Sequence, residues 1–163
     1  MSNNVLTCPK CGVDNHVSSW SIHNCDNHCA LHCPKCKDKV AIDDFNDAGA
    51  LLFDMEKIRE KSIEDSIGSD VSPIKSESFN LACEFVKLLA SDLVLPDATP
   101  YDNGDMGLDW RRDDIIFTIT FDLGCFIYAG IFGQNNEERG KKPFSGEKIP
   151  DEIILLLRRY FRK

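Results

Sequence analysis

Six of the eight cysteines and all four histidines of the chain fall in one stretch, CPKCGVDNHVSSWSIHNCDNHCALHCPKC, between Cys8 and Cys36. Thiolate and imidazole are the side chains that hold borderline-soft metal ions, so metal binding is the first chemistry this pattern offers. The stretch begins and ends with the same four residues, Cys-Pro-Lys-Cys. A Cys-x-x-Cys turn points both sulfurs at one place. Two such turns complete a tetrahedron of thiolates, the arrangement that structural zinc prefers. A module this short builds little core, so the metal must supply much of its folding energy, on the order of 10–16 kcal/mol for structural zinc in small peptides. The spacing therefore assigns Cys8, Cys11, Cys33 and Cys36 as the ligands of one Zn2+.

The residues between the two pairs offer more. Cys25, His28, Cys29 and His32 stand at i, i+3, i+4 and i+7, so on a helix they would share one face and present ligands to a second zinc. The competing reading makes the same four residues a prop that packs on the first site or hydrogen-bonds its sulfurs. Two further patterns overlap these residues. Cys8, Cys11, His23 and His28 nearly fit a two-Cys, two-His finger, which would orphan Cys33 and Cys36. Cys29, Cys33 and Cys36 match the spacing that holds an iron–sulfur cluster in radical enzymes, but the strand–helix alternation of those enzymes is missing. His16 and His23 receive no role.

Beyond Lys37 there is no histidine. That excludes Ser-His-Asp and Cys-His catalysis from the rest of the chain. Cys83 lies on an apolar helical stripe and Cys125 at a strand start, and both read as small buried residues. Asp109, Asp113, Asp114 and Asp122 fall around a hairpin, where solvated strand positions explain them better than acid–base work. DNGD at 102–105 lacks the remaining ligands of a calcium loop and reads as a turn. No Gly-rich phosphate loop with its lysine is present. The expectation is a protein that is not an enzyme.

The net charge of −8 is uneven: residues 46–105 carry 5 basic and 13 acidic groups, whereas the flanking segments are nearly neutral. Such a chain lacks the broad basic surface that drives nucleic-acid binding through counterion release. A local contact stays open through Lys10, Lys35, Lys37 and Lys39, which flank the cysteine pairs. Arg111, Arg112, Lys141, Lys142, Arg158, Arg159, Arg162 and Lys163 could form a second basic patch, although bases in the last turn of a helix are favourable in themselves. No apolar run reaches the roughly 20 residues of a membrane helix, and no secretory leader is seen at the start. Cysteines in Cys-x-x-Cys pairs without an export signal imply a reducing compartment, so the cytoplasm is the expected location.

These residues need elements to position them. Residues 1–66 read as a zinc ribbon followed by an amphipathic helix over 46–66, with Leu51, Leu52, Met55 and Ile58 at helical spacing. Residues 67–73, with Gly68 and Pro73, read as a linker. The second domain, 74–163, opens with a helix over 74–92 carrying Phe79, Ala82, Cys83, Val86 and Leu89 on one side. LPDATPYDNGDMG reads as loop. A short strand over 108–112 precedes IIFTITF at 115–121, a turn at 122–124 and CFIYAGIF at 125–132. GQNNEERGKK reads as a polar turn, and PFSG as the rim of a fourth strand. Pro150 opens a final helix with acids first and bases last. Trp20 is placed in the ribbon core and Trp110 in the sheet, or else at an interface. The predicted fold class is α+β: a small N-terminal zinc ribbon plus a C-terminal domain whose antiparallel 3–4-stranded sheet is flanked by two helices.

LTCPKCGVDN, a second Cys-x-x-Cys and then AIDDFNDAGALLFDMEK resemble the Lar-type restriction-alleviation zinc ribbons over residues 6 to about 60. The Cys/His-rich insertion and the second domain depart from that pattern. From the resemblance only metal ligation carries over, to Cys8, Cys11, Cys33 and Cys36; a bacterial or phage origin and regulation of a defence or toxin system follow by analogy alone. The expected function is that of a zinc-stabilised, protein-binding regulator. A nucleic-acid-binding ribbon and a metalloenzyme built on a second Cys/His zinc site are the alternatives.

Overall fold

The computed structural model describes residues 5–16, 19–25, 28–41, 47–134 and 136–163. The side chains of residues 22–25, 28–30 and 41 lie outside the description. The fold is α+β, as the sequence predicts, and the chain forms two compact units, residues 1–57 and 58–163. Their division falls inside α1 (Asp47–Ser66), earlier than the linker expected at 67–73.

The first unit is built from short strands. β1 (Val5–Thr7) and β2 (Asp14–His16) form an antiparallel pair. β3 (Ser21–Cys25), β4 (His28–His32) and β5 (Lys39–Ala41) form a three-stranded antiparallel sheet in the order β3-β4-β5. Among the described residues Leu6, Trp20, Leu31, Val40 and Phe53 bury around Cys8 and Cys33, with Cys36 packed at the margin. Trp20 thus fills this core.

In the second unit the segment 67–73 is held through Ser72, whose N–H donates to the Asp102 carbonyl at 2.9 Å. The buried Ser62 hydroxyl accepts the N–H of Ile74 at 3.2 Å, and the Lys75 N–H donates to the Gly104 carbonyl at 2.7 Å. α2 (Ser76–Leu88) follows, shorter at its end than the predicted 74–92. Then come five antiparallel strands, one or two more than expected: β6 (Asp97–Pro100), β7 (Met106–Arg112), β8 (Ile115–Asp122), β9 (Cys125–Phe132) and β10 (Glu137–Pro143). They lie in the order β10-β9-β8-β7-β6, and α3 (Asp151–Phe161) closes the chain.

The predicted strands at 115–121 and 125–132 are β8 and β9, joined by a tight turn in which Gly124 takes φ +64, a conformation glycine adopts without a Cβ clash. The two additions are DATP, read as loop, and EERGKKP, read as turn and rim. Neither carries large apolar residues at alternate positions. Each is a strand because its neighbour supplies a ladder of hydrogen-bond partners, Asp97–Pro100 to β7 and Glu137–Pro143 to β9.

One sheet face carries the core. Phe79, Ala82, Cys83, Phe85 and Val86 of α2 and Ile153, Leu157 and Phe161 of α3 are buried. Phe85, fully buried, meets Trp110, Phe121, Phe126 and Phe144 edge-on, with ring centroids 5.5–6.3 Å apart. Such offset contacts suit the aromatic quadrupole. Trp110 is 1% exposed and donates from Nε1 to the Val94 carbonyl at 2.9 Å.

Candidate metal centre

Each cysteine pair sits in a knuckle between two strands, and the two knuckles repeat the same hydrogen bonds. In the first, between β1 and β2, the Gly12 N–H donates to the Cys8 carbonyl at 2.8 Å and the Cys8 N–H to the Val13 carbonyl at 3.1 Å. In the second, between β4 and β5, the Lys37 N–H donates to the Cys33 carbonyl at 2.9 Å and the Cys33 N–H to the Asp38 carbonyl at 3.1 Å. Gly12 and Lys37 occupy equivalent places and both are left-handed, with φ +69 and +64. The first knuckle uses the residue that tolerates this geometry, and the second forces it on a lysine.

The knuckles bring four sulfurs together. The metal-binding atoms of Cys8, Cys11, Cys33 and Cys36 all lie within 4.8 Å of one another. Cys8 Sγ is 3.9 Å from Cys36 Sγ, and Cys11 Sγ is 3.8 Å from Cys33 Sγ. A tetrahedral zinc with bonds of ~2.3 Å holds its sulfurs about 3.8 Å apart. The four cysteines therefore fit a single metal ion of zinc's size and softness. The close contacts join one knuckle to the other, so an ion there would tie the two hairpins together. Cys8 and Cys33 are fully buried, Cys36 is half-buried and Cys11 is exposed.

As thiols, Cys33 and Cys36 are shifted in opposite directions. Burial pushes the Cys33 thiol up, but the N–H groups of Cys36 and Lys35 and hydrogen bonding with Cys8 and Cys36 outweigh it and bring it down to about 7. At Cys36 a backbone hydrogen bond from Asp38 favours the thiolate. Burial and the sulfurs of Cys33, Cys11 and Cys8 outweigh that and push Cys36 up to about 12. A divalent cation removes this conflict by replacing the protons. Asn15 adds an outer contact that the sequence reading did not single out: its Nδ2 donates to Cys33 Sγ at 3.6 Å.

The other predicted ligands are placed differently. Cys25, His28, Cys29 and His32 lie on two strands, β3 and β4, so the shared helical face does not form. In the register Cys25 pairs with His28, Cys29 with Asn24 and His32 with Ser21. The side chains of His23, Cys25, His28 and Cys29 lie outside the described part. His32 Nδ1 lies 3.2 Å from the Lys37 carbonyl and so braces the second knuckle. His16 is exposed on β2.

Outside this unit the structure separates residues that the sequence grouped. Asp113 and Asp114 form the β7–β8 turn, whereas Asp122 ends β8 at its other extremity. Asp109 is buried in the middle of β7, and its carboxylate accepts the hydroxyls of Thr99 at 2.7 Å and Thr118 at 2.6 Å. Cys83 and Cys125 are buried. Several C-terminal bases are engaged: Arg158 and Arg162 reach Asp92 at 3.3 and 3.7 Å, and Arg112 donates to the carbonyls of Tyr160 and Arg162. DNGD is a turn, with Asn103 and Lys75 both donating to Asp105. Among the described residues, no helix is long and apolar enough to cross a membrane.

Comparison with family models, curated proteins and solved structures returns no match to this chain.

Proposed function

We propose that the chain is a non-enzymatic, zinc-stabilised protein that acts by binding another protein, the zinc holding its first unit in shape. The observation that carries this reading is the closure of the site. Four cysteine sulfurs at tetrahedral spacing leave no position for a substrate or an activated water, which is the pattern of structural rather than catalytic zinc. The acidic residues 46–105 favour a protein partner over nucleic acid. The resemblance to Lar-type ribbons directs the proposal to a regulator of a bacterial or phage defence or toxin system, working in the cytoplasm.

Elemental analysis of the purified chain tests the metal count, repeated on Cys25→Ser/Cys29→Ser. The expectation is one zinc in both proteins. A fall from two to one in the variant would establish a second site and favour the metalloenzyme alternative.

Nucleic-acid binding has one specific observation in its favour: Lys10, Lys35, Lys37 and Lys39 are all exposed around the two knuckles. A titration with duplex and single-stranded DNA and RNA separates the readings. Micromolar affinity that falls steeply with salt would replace the protein-binding proposal with this one.

A further inference from the structure

The sheet of the second unit has two faces, and the helices account for one. On the other, each strand contributes alternate residues, which the register aligns in rows across the sheet. One row reads Glu137, Ile131, Ile116, Arg111 from β10 to β7. The next reads Arg139, Ala129, Thr118, Asp109, and the third Lys141, Ile127, Thr120, Gly107. The β7 end of the third row is covered, because the Tyr101 ring lies where a Cβ on Gly107 would be. The β8–β10 part is open: Ile116, Ile127 and Ile131 are 40%, 47% and 49% exposed. A hollow of about 550 Å³ lies there, lined by Ile116, Ile131, Glu137 and Arg139 among others.

The sheet edges look guarded, unlike this face. β6 is only four residues long and ends in Pro100, and β10 carries Arg139, Lys141, Lys142 and Pro143. Short length, proline and charge all disfavour edge-to-edge strand addition. Association through the open face meets no such barrier.

The charges on the rows are self-complementary. In the first row the acid stands on β10 and the base on β7. In the second row the order is reversed, with Arg139 on β10 and Asp109 on β7. A two-fold axis along the strands, between β8 and β9, keeps each row at its own level and reverses its order. Glu137 then meets Arg111 of the other copy and Ile131 packs on Ile116, each contact occurring twice, while Arg139 faces the position of Asp109, whose buried carboxylate is already taken by Thr99 and Thr118. Among the described residues neither Glu137 nor Arg139 has an ion-pair partner within its own chain. Arg111 is held only loosely, 4.0 Å from Asp109.

We propose that the open face of the β6–β10 sheet is a homodimer surface, on which a second copy of this chain packs about that two-fold axis. Aligned sheet-on-sheet packing of this kind inserts the isoleucines of each copy between those of the other, with the sheets about 10 Å apart. An isologous contact closes on itself and yields a dimer rather than a filament.

The test is sedimentation equilibrium of the full chain, with far-UV circular dichroism and thermal melting as checks on folding. Wild type is expected to dimerise, with a Kd that rises with salt. Ile131→Glu, at an exposed position that the fold tolerates, is expected to raise the Kd at least about a hundredfold, since the loss is counted twice by symmetry. Glu137→Arg and Arg111→Glu are each expected to raise it about tenfold or more. The double variant Glu137→Arg/Arg111→Glu is expected to return to within about threefold of wild type. A wild-type chain that stays monomeric at millimolar concentration would overturn the proposal. So would a dimer indifferent to Ile131→Glu, or single reversals that the double variant fails to rescue.

Discussion

Replacing Cys36 by Ser probes the tie between the two hairpins. The hydroxyl is a poor zinc ligand at neutral pH, and the remaining three sulfurs no longer close the tetrahedron whose close edges measure 3.8 and 3.9 Å. What is at stake is up to the whole contribution of the metal, on the order of 10–16 kcal/mol for a structural site. That equals or exceeds the total stability of a typical domain, about 5–15 kcal/mol. Among the described residues, the core of the first unit apart from its cysteines consists of Leu6, Trp20, Leu31, Val40 and Phe53, too few to absorb such a loss. The second unit has its own aromatic core around Phe85 and none of the four cysteines. The expected result of Cys36→Ser, or of chelation of the wild type, is therefore selective. Zinc content falls, amide resonances of residues 5–41 collapse to unfolded positions, and those of β6–β10 persist. Cys83→Ser, outside the site, should leave the zinc content at wild-type level. If the first-unit resonances stayed dispersed after the metal was gone, the claim that zinc holds this unit together would be refuted.

Lys37 holds φ +64 where the equivalent residue of the first knuckle is glycine. Lys37→Gly should therefore stabilise the first unit by up to about 1 kcal/mol, read as a slower loss of zinc to a competing chelator. Phe85→Ala removes the ring at the centre of four aromatic contacts and should cost about 3–5 kcal/mol, measured by urea denaturation followed through Trp110. Lys142 and Glu152 pair at 2.6 Å; the Lys142 hydrogen bond holds the Glu152 carboxyl below its usual range, and Glu152 in turn raises Lys142. The pair's stabilisation is present above the unfolded Glu value and is lost as pH falls through the lowered folded one. At the alkaline end it is lost as pH rises through the raised Lys142 value. A comparison of melting curves for wild type and Lys142→Gln across pH should show their difference shrinking at both ends and largest between. A difference independent of pH would remove the ion pair as its cause.

The four-cysteine cluster was legible because its geometry is local: two Cys-x-x-Cys knuckles aim their sulfurs before any tertiary contact forms. Strands β8 and β9 were legible for a similar reason. Ile115–Asp122 and Cys125–Phe132 carry their own apolar content, and the glycine between them supplies the turn. The helices showed their apolar spacing and, for α3, a proline at its start.

Elsewhere local pattern pointed the wrong way or gave no signal. Cys25, His28, Cys29 and His32 match helical spacing, yet they lie on strands because β4 pairs with both β3 and β5, and Leu31 and Val40 fill the core beside Cys33. β10 has almost no apolar residue and exists as a strand through its hydrogen bonds to β9. The buried Asp109 could not be told from a solvated acid until Thr99 and Thr118 were seen to donate to it.

What the sequence determined by itself was the cysteine cluster that could hold a metal and the elements whose own side chains carry a period. Only the tertiary structure decided which polar segments became strands, where the chain divides, and which charges share an open sheet face. Those outcomes depend on hydrogen bonds and packing supplied by residues distant in the chain, and no local window contains them.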